Sequence, residues 1–87
     1  MNATVGRIVV SRAGRDAGRR FVVVKVIDDI FVEICDGDLR RVEKPKKKKI
    51  KHLDITDEMA EGLAEKLKSS GRITNADVRK ALADVVS

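Results

Sequence analysis

Between Val5 and Leu53 apolar and polar positions alternate with a period near two, the spacing of half-buried strands. Ile8 and Val10 alternate with Arg7, Val9 and Ser11 in a first strand. A second, Arg20 to Ile27, sets Val22, Val24 and Val26 on one face and Phe21, Val23 and Lys25 on the other. Asp28-Asp29 turns the chain into a third strand, Phe31 to Cys35, with Val32 and Ile34 on one face. Asp36-Gly37 signals a tight hairpin, because glycine takes positive φ cheaply. The pattern then predicts a fourth strand from Leu39 to Glu43 and a short closing strand from Ile50 to Leu53. Five short strands joined by turns are best satisfied by a small barrel, since closure removes exposed edges.

After Asp54 the period lengthens. Met59, Ala60, Leu63, Ala64 and Leu67 fall on one helical stripe, which predicts a helix over Asp57 to Ser69 with Thr56 as its N-cap and Gly71 as its stop. Thr74-Asn75-Ala76-Asp77 reads as a capping box with Asp in the Glu position, opening a second helix from Asn75 to Val86. Helices this short are marginal alone in water and must pack on something. The outward face of the barrel strands, Phe21 and Val23, is one expected support, and another protein is the alternative. The chain is thus expected to be mostly β with a small α appendage: a barrel over residues 1–55 and a helical hairpin tail over 56–87.

Charge sharpens this division. The 87 residues carry a net +5, but residues 1–53 hold +7 and residues 54–87 hold −2. A basic body suits a polyanionic partner, and the acidic tail suits a cover or a second partner surface. Phe21 and Phe31 are the only aromatics, so the core must be aliphatic and base stacking cannot supply much affinity. No apolar run approaches a membrane span of about 20 residues. One cysteine, Cys35, excludes an internal disulfide and fits a reducing, cytoplasmic setting. One Cys and one His cannot make a structural zinc site, and no nucleophile sits beside a base, so neither metal, cofactor nor catalysis is expected.

The stretch Val5-Gly6-Arg7-Ile8-Val9-Val10-Ser11, with Gly14-Arg15-Asp16-Ala17-Gly18-Arg19-Arg20 and Val22-Val23-Val24, resembles a KOW motif: a strand, a turn rich in glycine and cations, and a second strand. Gly18 corresponds to its central glycine. Phe31-Val32-Glu33-Ile34, Arg40-Arg41-Val42 and Ile50-Lys51-His52-Leu53 extend the resemblance to KOW-containing large-subunit ribosomal proteins of archaea and eukaryotes and to their short bacterial relatives. It covers about residues 4 to 56. The resemblance implies an SH3-like five-stranded KOW barrel that binds RNA, ribosomal RNA above all, beside ribosomal proteins. Oligomeric state is not legible in the sequence, and a monomer is the default expectation.

Gly14 and Gly18 allow a tight loop to bring backbone N–H groups and flanking arginines close to phosphate. Arg12, Arg15, Arg19 and Arg20 are the candidate phosphate ligands there, since a guanidinium fork binds phosphate oxygens in pairs. Lys46, Lys47, Lys48, Lys49 and Lys51 are expected to add diffuse positive charge. Phosphate contacts position a protein without reading sequence, so shape recognition of folded RNA is the expectation. The bland alternatives are a solvated loop and a solubilising lysine linker. The competing functions are a transcription-associated KOW accessory and a protein-interaction module acting through the helical tail.

Overall fold

The computed structural model describes residues 2–84. Strands β1 (Arg7–Ser11), β2 (Arg20–Val26), β3 (Phe31–Cys35), β4 (Lys46–Lys49) and β5 (Leu53–Met59) form one antiparallel sheet in the order β4-β3-β2-β1-β5. A single 3-10 turn, Ile50–His52, links β4 to β5. Helices α1 (Glu61–Ser69) and α2 (Asn75–Asp84) follow. The architecture is that of a small SH3-like barrel left open, with β4 and β5 at its two edges.

Side chains alternate across a strand, so the sheet has two faces, and each has its own core. Val9, Phe21, Val23, Val32, Ile34 and Leu53 fill the concave side, together with Ala3. Ile8, Val22 and Cys35 face the other way and pack on Ala60, Leu63 and Val78. The helices therefore sit on the Val22 face. Phe21 and Val23, the support expected from the strand pattern, are fully buried inside the barrel instead. The alternation in β2 identified two faces correctly, but two apolar faces give no sign of which is inner. A register shift between Val23 and Lys25 marks a bulge in β2, and bulges increase local twist and let a sheet curl.

Three expected elements move. Leu39–Glu43 is not a strand: Asp36 Oδ1 accepts the N–H groups of Asp38 and Arg40, and Val42 N–H donates to Asn75 Oδ1 at 2.9 Å. This segment is drawn onto α2, where Val42 joins the second core. The fourth strand is the lysine run itself, with Lys46 opposite Ile34 and Lys49 opposite Phe31. Ile50–His52 is the 3-10 turn, and the closing strand starts at Leu53 and runs on to Met59, through the first turn of the expected helix.

Thr56 accordingly caps no helix. Its hydroxyl donates to Ile8 O at 2.6 Å and accepts Glu58 N–H, holding the irregular pairing of β5 with β1. Helix α1 starts after Ala60, whose N–H donates to Gly6 O. It stops where expected: Gly71 has φ +70° and its N–H reaches Lys66 O. The capping box of α2 is reciprocal, Thr74 N–H to Asp77 Oδ2 and Asp77 N–H to Thr74 Oγ1, both 3.0 Å. The part of the expected second helix beyond Asp84 lies outside the described residues.

Candidate nucleic-acid interface

Residues 12–19 join β1 to β2 and carry the glycine and cation pattern. Gly14 and Gly18 have φ of +82° and +85°, conformations that L side chains rarely adopt. The loop is closed by Ser11 N–H to Arg19 O, Gly18 N–H to Ser11 O and Ala17 N–H to Gly14 O. Among the described residues, the N–H groups of Ala13, Gly14, Arg15 and Asp16 have no acceptor in the protein. A run of consecutive N–H groups without acceptors is the raw material of an anion-binding nest.

Asp16 organises this loop. It is the one carboxylate between Arg15 and Arg19, and its side chain is almost buried. The Ser11 hydroxyl donates to its Oδ1 at 2.9 Å. Lys48 Nζ reaches the same oxygen at 3.2 Å and Ala13 O at 3.1 Å, and Lys46 Nζ lies 3.5 Å from Oδ2. Burial opposes ionisation of Asp16, but the Ser11 bond and the two ammonium groups outweigh it and hold the carboxyl below its ordinary pKa. The loop is thus pinned to β4 by a buried ion pair. Sequence reasoning had passed over Asp16; its signal was a lone acid inside a cationic glycine loop.

The strand period divides the lysines. Lys48 is buried, at 8% exposure, and Lys46 is mostly covered, both committed to Asp16. Lys47 and Lys49 are exposed, with Lys47 Nζ 4.3 Å from the centre of the Phe31 ring. The arginines divide in the same way. Arg20 donates to Leu82 O and pairs with Glu58, bracing α2 against the sheet. Arg19 is half-exposed and held by Asp36 at 3.2 Å. Arg12 is exposed beside an equally exposed Asp54, 3.5 Å away. Arg15 is exposed at the loop tip and is in no ion pair among the described residues.

The 3-10 turn brings further charge to this rim. Arg12 N–H donates to His52 O at 2.8 Å, so Lys51, exposed in that turn, lies beside the loop. Arg12, Arg15 and Lys51 are thus the exposed cations on or beside the loop that carries the unbonded amides, whereas Lys49, one residue on from Lys48, lies on the other face of β4. Arg20, Lys46 and Lys48 hold the frame behind the loop.

An open SH3-like barrel whose first turn is a glycine and cation loop of this kind defines the class: the chain is a KOW-type ribosomal protein relative. No protein-family model matches the chain. Large ribosomal subunit protein eL14 of Desulfurococcus amylolyticus is 45% identical over 53 residues, which cover 61% of this chain and 55% of that protein. The eL14 of Hyperthermus butylicus is 34% identical over 80 residues, 92% of this chain and 74% of the relative. That of Pyrobaculum arsenaticum is 39% identical over 57 residues, 66% and 55% respectively. The chain belongs to the eL14 family of large-subunit ribosomal proteins. It spans about half the length of several of the curated relatives it matches, 55% in two of the three.

Proposed function

We propose that the chain binds ribosomal RNA, by phosphate and shape contacts and without catalysis, as a component of the large ribosomal subunit in the cytoplasm. The observation that carries this reading is the row of unbonded N–H groups at residues 13–16, with Arg12, Arg15 and Lys51 exposed on or beside that loop. The names of the relatives, all large-subunit ribosomal proteins, support it over a transcription-associated accessory. Arg19 and Lys47 contribute from the edges of the site, while Arg20, Lys46 and Lys48 act indirectly by shaping it. The sheet β1–β5 is the RNA-facing body, and α1 and α2 are a cover for its second apolar face.

Binding through phosphates releases counterions, so affinity falls steeply with salt. With roughly four to six phosphates neutralised, a log–log slope of about −3 to −5 is expected. The test is titration of protein-free large-subunit rRNA with the chain across a salt series. Arg15→Ala combined with Lys51→Ala should weaken binding at every RNA sequence and make the slope shallower by about two. A flat salt response of the unaltered chain would remove the phosphate mechanism.

A further inference from the structure

Of the four large apolar side chains that stand exposed among the described residues, three lie in five consecutive positions: Val26, Ile27 and Ile30, at 45%, 39% and 58% exposure. Single exposed aliphatics are ordinary, but a cluster is a cost in water that a contact surface would explain. The cluster forms the tip of the β2–β3 hairpin, and the tip is held in shape. Asp28 Oδ1 accepts the N–H groups of Ile30 and Phe31, both at 2.8 Å, and Phe31 O accepts those of Ile27 and Asp28. Ile50 N–H donates to Ile30 O at 2.8 Å, which ties the tip to the 3-10 turn.

The tip has a chemistry opposite to that of the β1–β2 loop. There the amides are unbonded and the one carboxylate is neutralised by lysines. Here the amides of Ile27, Asp28, Ile30 and Phe31 are all used, and two carboxylates, Asp28 and Asp29, stand in solvent between the aliphatics. A phosphate would find few donors and two like charges, only one of which, Asp28, has a lysine (Lys47) near it, and isoleucine offers no π face for a base. Two identical acidic tips would repel, which disfavours a symmetric contact with a second copy. The surface that complements it is an apolar socket edged with Lys or Arg.

We propose that the β2–β3 hairpin tip docks, through Ile27 and Ile30, into a cation-rimmed apolar socket on a basic neighbouring protein. This rests on the ribosomal reading, because an rRNA-rich particle is where basic proteins lie side by side. Both isoleucines are exposed, so the Ile27→Ser and Ile30→Ser substitutions together should leave the thermal melt unchanged. The double variant is compared with the unaltered chain on two probes: protein-free large-subunit rRNA, and large subunits of the source cell stripped of this protein by salt. The expected result is rRNA affinity within twofold and subunit affinity lowered about tenfold or more. A photo-crosslinking residue placed at position 30 should join, on those subunits, to a basic protein in a product that survives ribonuclease. Equal loss on bare rRNA, or a ribonuclease-sensitive crosslink, would overturn the proposal in favour of an RNA contact. Self-association that the double variant abolishes would overturn it in favour of a second copy. Undiminished binding to subunits would overturn the docking alone and leave the RNA reading standing. An unaltered chain that binds neither probe would defeat both.

Discussion

Asp16 and Lys48 show how one ion pair can matter more than the cations around it. Each side chain is 8% exposed, so neither charge is left to water. A buried pair adds little net stability compared with apolar groups of the same shape, but removing one partner strands the other. Asp16→Ala is therefore expected to lower unfolding stability by about 3 kcal/mol in denaturant melts. Adding Lys48→Met to Asp16→Ala should recover most of that loss, because no buried charge then remains. If the loop binds RNA as proposed, the affinity of the double variant should still fall, since the loop loses its tether to β4. Cys35 behaves differently: burial first, then the nearby charges of Asp36 and Glu43, push its thiol up to about 12. It should resist thiol reagents in the folded protein and react on unfolding.

Elements made of local apolar runs bounded by turn or cap signals were legible in the sequence. β1, β2, β3 and the capped start of α2 stand where alternation and the Thr74–Asp77 box put them. β4 was not legible, because its inward position is filled by Lys48 and no periodicity scan credits a lysine with burial. Its carboxylate partner lies 32 residues upstream, beyond any local window. Leu39–Glu43 misled because it follows a hairpin-like Asp36-Gly37 signal, but its amides are claimed by Asp36 and Asn75. Thr56 had the right habit in the wrong place, accepting an N–H two residues on in a bulge and not at a helix start. Of the site, the loop and its glycines were legible, but the division of the cations into frame and rim was not. That division depends on which acid each one meets. The glycines also differ in what they tolerate. At Gly18 a Cβ meets nothing within 4 Å, so Gly18→Ala should cost only the positive-φ strain, about 1 kcal/mol. At Gly37 a Cβ would collide with the carbonyl oxygen of Asn75 at the start of α2. Gly37→Ala should cost well over that, about 3 kcal/mol or more, and loosen α2, as amide exchange along that helix would report.

At the scale of the whole molecule, one sheet serves two cores, and the acidic tail closes the second of them. The carboxylates that fix its loops share one property. Asp16 and Asp36 are lowered against the pull of burial, Asp36 by the amides of Arg40 and Asp38 and by Arg19. Asp77 is lowered chiefly by the Thr74 amide and by Lys66. Each is more acidic folded than unfolded, so the stability it contributes is whole above the ordinary value of 3.8 and drains as pH falls below it. Cys35 is less acidic folded than unfolded, so its contribution is whole below 9.0 and drains above. The melting temperature should hold a plateau between about pH 5 and 9 and fall on both sides, the acid side more gently in Asp16→Asn. The open sheet has a further consequence. A bare strand edge is a template on which another chain can add, and lysine is a common guard against it. Here one edge strand is Lys46–Lys49, with Lys47 and Lys49 exposed, so any copy seeking to extend the sheet there meets its own charge twice over. The lysine strand that frames the proposed RNA site thus also discourages fibre-like stacking of the chain.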